Sequence, residues 1–275
     1  MNPYHLKAAI VCATAMLSTQ LSPAQTSELY MLSSPNVIYP VGTTYVYQGG
    51  QQLRSWTHAG PYEIPLAVVG GTVRQGAVFS GFSGTEYSTA GALTGTHYAA
   101  APNVYDAASD GASIYGWDVV SASLMRYDLN WSHPQSLFSL GASYSYLYMG
   151  ITYDPQNGSI WLAAWNNSNA GHLYNYSLAG TLLGNIALPG GAELGSGLAY
   201  DAADDTFWMF DARADRLDQY ARNGDLLSTI TERSRVYGLE FAAVPEPATM
   251  TLVAVAALWS VVRRAKTSRQ DSQSK

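Results

Sequence analysis

Three aspartates occupy what read as matching places in the chain. They are Asp106 in Val104-Tyr105-Asp106, Asp154 in Gly150-Ile151-Thr152-Tyr153-Asp154 and Asp201 in Gly197-Leu198-Ala199-Tyr200-Asp201. Carboxylates brought in register around one face could ligate a hard cation such as Ca²⁺ through oxygen. The run Asp154-Pro155-Gln156-Asn157-Gly158 suggests a plainer role, because an Asp side chain accepts backbone N–H bonds from the next residues and closes a turn. Turn capping is therefore the expected role of all three.

Four histidines, His58, His97, His133 and His172, are spread along the chain and could supply a metal site or a general base. Their unequal offsets from the repeated tyrosines described below argue for separate surface or loop positions. The group Asp201, Asp204, Asp205, Asp211, Asp215 and Asp218 lacks the dense D-x-D-x-D-G spacing of an EF-hand and reads as a solvated acidic edge. Among the aromatic residues, Trp117, Trp161, Trp165 and Trp208 fall in strand positions, whereas a loop residue such as Trp131 could stack a sugar. Neither a G-x-S-x-G elbow, a Walker loop, an H-E-x-x-H pair nor a dinucleotide fingerprint occurs. No catalytic residue, metal ligand or cofactor is expected from this inventory, and the ligand-binding residues stay unassigned.

The elements that carry these residues follow from repetition. Gly150 to Asp154 recurs as Gly197 to Asp201, and each tyrosine is followed eight residues later by a tryptophan, at Trp161 and Trp208. A second element, Tyr176-Ser177-Leu178-Ala179-Gly180-Thr181-Leu182, recurs at Tyr220 with Gly224 and Leu226, and more faintly at Tyr47, Tyr87 and Tyr127, where Trp131 stands in for the glycine. These five tyrosines are 40, 40, 49 and 44 residues apart. A period of roughly 40 to 50 residues made of short strands is that of a β-propeller. The expected fold is all-β: a single propeller of four-stranded blades over residues 28–57 with 237–243, 62–96, 102–140, 147–188 and 195–231. Glu28 to Leu32 and Thr44 to Tyr47 read as strands of a first blade that Tyr237 to Phe241 completes, closing the ring with both ends of the domain. Six blades would result if the Ser- and Gly-rich stretch from Gly70 to Gly95 held further strands; a β-sandwich does not account for the period. Through these two periodic elements the region resembles the NHL-type and related β-propellers.

The flanks read as addresses. His5 and Lys7 precede an apolar stretch from Ala8 to Leu17, and Ser22-Pro23-Ala24 offers small residues for a cut after Ala24, so residues 1–24 are expected to be a signal peptide handled by the general secretion machinery and signal peptidase. Cys12, the single cysteine, lies inside it. Residues 25–243 would be the propeller domain and 244–275 a tail. That tail holds Pro245-Glu246-Pro247, an apolar run of fifteen residues from Ala248 to Val262, and Arg263, Arg264 and Lys266. The run is short of the roughly 20 residues a helix needs to cross a hydrocarbon core. With the basic cluster as a membrane stop, it reads as a weak transmembrane helix whose far end stays cytoplasmic.

Triplet, apolar segment and terminal basic patch, in that order, resemble the PEP-CTERM sorting signal of Gram-negative bacteria. The resemblance covers only about the last thirty residues. It implies Pro245, Glu246 and Pro247 as the recognition triplet of exosortase, passage through the inner membrane, and delivery to the cell surface or extracellular matrix. It implies nothing about the cargo's own function.

Between the ends, eight arginines and no lysine stand against eighteen Asp and Glu, a balance of −10 for residues 25–244. Nucleic-acid binding, which relies on Lys and Arg to neutralise phosphates, is not expected of such a surface. Two functions of different class remain. One is a non-catalytic surface or matrix propeller that binds polysaccharide or protein, with biofilm as its setting. The other is a metal-dependent propeller enzyme of lactonase or hydrolase type, which would need several Asp, Glu, Asn or His side chains converging on the channel. The apolar inner strands favour the first.

Overall fold

The computed structural model describes residues 27–34, 41–144, 148–164, 171–189, 194–231 and 235–242. Ala24, the triplet 245–247, the apolar run 248–262, the basic residues Arg263, Arg264 and Lys266, and Trp165 lie outside them. Among the described residues no helix is long and apolar enough to cross a membrane.

Among the described residues twenty strands form five separate four-stranded sheets. Blade 1 holds β1 (Leu29–Ser34), β2 (Thr43–Gln48) and β3 (Gln51–Thr57), with β20 (Arg235–Phe241) as its innermost strand. Blade 2 runs β4 (Leu66–Val69), β5 (Thr72–Gln75), β6 (Gly84–Ser88) and β7 (Leu93–Tyr98) from the inside outward. Blade 3 runs β8 (Val104–Ser109), β9 (Ile114–Asp118), β10 (Ser123–Tyr127) and β11 (Gln135–Ser139). Blade 4 runs β12 (Tyr148–Asp154), β13 (Ser159–Ala164), β14 (His172–Ser177) and β15 (Leu182–Ala187), and blade 5 runs β16 (Leu194–Asp201), β17 (Thr206–Asp211), β18 (Arg216–Ala221) and β19 (Leu226–Thr231). The protein is a five-bladed β-propeller. The stretch from Gly70 to Gly95 holds only strands of blade 2 and their connections. Pairing of Leu29 with Phe241 and of Leu32 with Gly238 closes the ring by joining the first and last strands in one sheet.

Burial explains which sequence patterns belong to which strand. Every residue of β13 and β17 is buried, since these second strands are covered on both faces by neighbouring blades, and they read as unbroken apolar runs. Third strands alternate, and the five repeated tyrosines, Tyr47, Tyr87, Tyr127, Tyr176 and Tyr220, are all buried there. The outermost strands face solvent, and the leucines of the second repeat element stand exposed on them. The cores lie between blades: Trp161 and Leu173 of blade 4 pack with Leu198, Phe207 and Tyr220 of blade 5.

Trp131 is 1% exposed, with φ of 61°, and its N–H donates to the Asp128 carbonyl as those of Gly91, Gly180 and Gly224 donate at the corresponding turns. Its ring abuts Gly76 and belongs to the core between blades 2 and 3, which corrects the expectation of a sugar platform.

Glycine in the first repeat element is explained by crowding at the axis. A Cβ on Gly197 would lie 2.8 Å from Leu239 Cγ, and one on Gly150 would lie 2.9 Å from Leu198 Cβ. Replacing Gly197 by Ala should therefore lower the unfolding free energy by about 1–3 kcal/mol through overpacking. Chemical denaturation measures this, and a variant as stable as the parent would show that the inner ring has room to spare.

Candidate functional site

Five sheets that share no ladder leave five inner edges facing the axis, where their backbone donors are cut off from water. Buried N–H groups must find acceptors. Two carboxylates supply them. In β8 the register slips between Val104 and Ala107, and this irregularity takes Asp106 out of the ladder. One Asp106 oxygen accepts from Ile151 N (3.0 Å) and Leu198 N (2.9 Å), and the other from Leu239 N (3.2 Å) and Ala107 N (3.0 Å). Glu240 of β20 accepts from Val68 N at 2.5 Å and Ser109 N at 2.7 Å. Between them the two side chains bind β4, β8, β12, β16 and β20, the innermost strand of every blade. Burial drives both carboxyls well above their ordinary pKa range, and the amide donors pull in the opposite direction.

Asp106 is thus not the counterpart of Asp154 and Asp201, correcting the sequence alignment. Asp154 and Asp201 do close turns, accepting from Gln156 N and Ala203 N. Pairing places Ser109, opposite Ile114, where Asp154 sits opposite Ser159 and Asp201 opposite Thr206. One signal was available in the sequence: no tryptophan stands eight residues after Tyr105, as it does after Tyr153 and Tyr200. An isolated acid inside the apolar strand Tyr237 to Phe241 was the corresponding signal for Glu240.

The histidines do not converge. His133 pairs with Asp128 on the surface, and His97 is exposed. His58, expected at the surface, is instead buried, bonded through Nε2 to Thr44 Oγ1 and Gln75 Nε2, both at 2.8 Å. Burial pushes its pKa down to about 3, so the ring is neutral and its 3.8 Å approach to Glu63 is not an ion pair. Among the described residues no three His, Cys, Asp or Glu side chains are grouped to hold a metal ion. The acidic edge divides: Asp204 and Asp215 are exposed, whereas Asp201, Asp211 and Asp218 are buried.

A cavity of about 440 Å³ opens at the seam between blades 5 and 1, within the roughly 300–1,000 Å³ of small-molecule sites. Its walls are two cross-strand rows. Trp208, Gln219 and Ser228 lie opposite one another across β17, β18 and β19, and Phe241, Leu29 and Tyr47 do so across β20, β1 and β2. Asp201 and Asp204 line it from blade 5, and Gly49 and Gly50 from the β2–β3 turn. Asp201 accepts from Ser27 Oγ at 2.7 Å, and burial raises its pKa. Gln219 is held between Asp204, Thr206 and Ser228.

No protein-family model matches the sequence, and no curated protein does. Solved structures share the fold. A chain from the crystal structure of a nidogen/laminin complex is 15% identical, with 79% of this chain and 98% of that chain covered and a TM-score of 0.52. Virginiamycin B lyase from Staphylococcus aureus is 11% identical over 74% of this chain and 70% of its own, with a TM-score of 0.42. At these identities the likeness is one of fold alone.

The axial carboxyls give a pH-dependent test. Burial raises the Glu240 carboxyl well above its ordinary value, so its contribution to stability is full below the unfolded-chain pKa and is lost as pH rises through the folded pKa. Gln at this position does not titrate. The unfolding free energy of the parent minus that of Glu240→Gln should therefore fall between pH 4 and pH 8, as read by guanidinium unfolding at both; a constant difference would show that the carboxyl titrates as it does in the unfolded chain.

Proposed function

We propose that the protein is an exported, exosortase-sorted cell-surface or extracellular-matrix component whose propeller binds a polysaccharide or a protein without performing chemistry. The observation that carries the binding reading is the occupation of the axis. Asp106 and Glu240 are the carboxylates a channel-centred enzyme would use, and their oxygens are engaged by backbone amides of all five inner strands. A carboxylate held this way costs the fold its closure if it is diverted to a substrate or cation. The cavity at the seam of blades 5 and 1 offers aromatic and polar lining instead, as a binding module would.

Sorting rests on the sequence resemblance of residues 245–266. It would involve signal peptidase after Ala24, exosortase at Pro245, Glu246 and Pro247, and transient residence in the inner membrane through residues 248–262. Intact mass and cell fractionation from the native host, with and without exosortase, test it. The expected outcome is a surface or extracellular species lacking both ends, replaced by a membrane-bound form retaining its tail when exosortase is removed. An uncleaved tail in the inner membrane of both strains would contradict it.

A further inference from the structure

The residue two places beyond each repeated tyrosine sits at the seam with the preceding blade. At the seam of blades 1 and 2, Thr89 offers its carbonyl to Arg54 Nε at 2.8 Å. Leu129 and Leu178 pack into the apolar clusters between blades 2 and 3 and between blades 3 and 4. At the seam of blades 4 and 5 the residue is Arg222. Its guanidinium bonds Asp154 at 3.0 Å, Asp205 at 2.6 Å and Tyr200 Oη at 2.8 Å, and lies 5.9 Å from the ring centre of Trp161. In the fifth seam, between blades 5 and 1, the same place is taken by Gly49, which has no side chain, and a Cβ built there would meet nothing within 4 Å.

The groove described above is the space that results. Its blade 5 wall repeats the partners of Arg222 one blade on: Asp201 stands where Asp154 stands, and Trp208 where Trp161 stands, each pair in the same register of its hairpin. Asp204 adds a second carboxylate at the rim. A buried acid, a second acid and an indole are the groups that hold a guanidinium in the neighbouring seam, and here no guanidinium among the described residues bonds to them.

We propose that the groove between blades 5 and 1 receives the guanidinium of an arginine side chain from a partner protein, held by Asp201, Asp204 and Trp208. This rests on reading the propeller as a binding module. Arg suits such a site better than Lys, because its planar fork matches a carboxylate and stacks on an aromatic face. The excess of acidic residues over the domain would steer a basic partner toward it.

The test is titration of the purified full-length protein with a capped glycyl-arginyl-glycine peptide, followed by saturation-transfer NMR on the peptide. The citrulline peptide, of the same shape but uncharged, and cellohexaose serve as separate arms. The arginine peptide should bind about tenfold more tightly than the citrulline peptide, and Asp204→Asn should weaken it by about the same factor with the thermal melt unchanged. Asp204 is exposed, so this variant is expected to fold; Asp201→Asn, which keeps an acceptor for Ser27, is the second. Equal binding of the two peptides, binding indifferent to both substitutions, or no binding to the folded protein would overturn the proposal. Cellohexaose binding that Trp208→Phe weakens, without arginine binding, would also overturn it while leaving a saccharide-binding propeller. All arms use purified protein, so failure here is separate from failure of the sorting experiment.

Discussion

Everything in this propeller depends on how the inner edges of five sheets are satisfied at a dry axis. A β-sheet edge presents donors and acceptors that must be paired or hydrated, and a ring of five blades turns one edge of every sheet inward. Here a single aspartate and a single glutamate accept amide protons from each innermost strand. Burying a carboxyl group is costly unless several donors surround it, and each hydrogen bond made to it contributes roughly 0.5–1.5 kcal/mol. The cost and the gain are both concentrated at the axis, so the ring closes as a unit.

Away from the axis the blades are joined by side chains that differ from seam to seam. Aromatic contacts such as Tyr115 with Tyr153 serve blades 3 and 4, and Arg74 reaches the Leu129 carbonyl from blade 2 to blade 3. Arg222 joins blades 4 and 5. Blades 5 and 1 meet through strands from opposite ends of the domain, with Ser27 bonded to Asp201 and a groove beside them. The place where the chain closes on itself is thus also where it leaves an accessible, acidic and aromatic recess. Binding there would engage the stitched blade directly.

Much of this architecture was legible in the sequence, because the features that specify it repeat. The buried tyrosines mark every third strand, and the glycines at 150, 197 and 238 mark strands that approach others closely. The terminal strands were recognisable as complementary halves of one blade. What repetition hides is the exception. Asp106 looked like another turn aspartate because it follows a tyrosine, but the strand irregularity at residues 104–107 moved it from the turn to the axis. Glu240 is unique to one strand, and His58 and Trp131 are buried by neighbouring blades that no single segment reveals. The groove arises from a side chain that is missing, at Gly49, and its meaning appears only once Arg222 is seen filling the preceding seam.

The central claim, that Asp106 ties three other blades to its own through their backbone amides, is tested most directly by hydrogen exchange in the parent and in Asp106→Asn. The amide group of asparagine can accept on one atom only, so donors on the other lose their partner. The account predicts that the amides of Ile151, Leu198 and Leu239 are strongly protected in the parent and that either Leu239 or the pair Ile151 and Leu198, which share one oxygen, exchange about tenfold faster or more in the variant. Val68 and Ser109, held by Glu240, should change less. Unchanged protection at Ile151, Leu198 and Leu239 would contradict it.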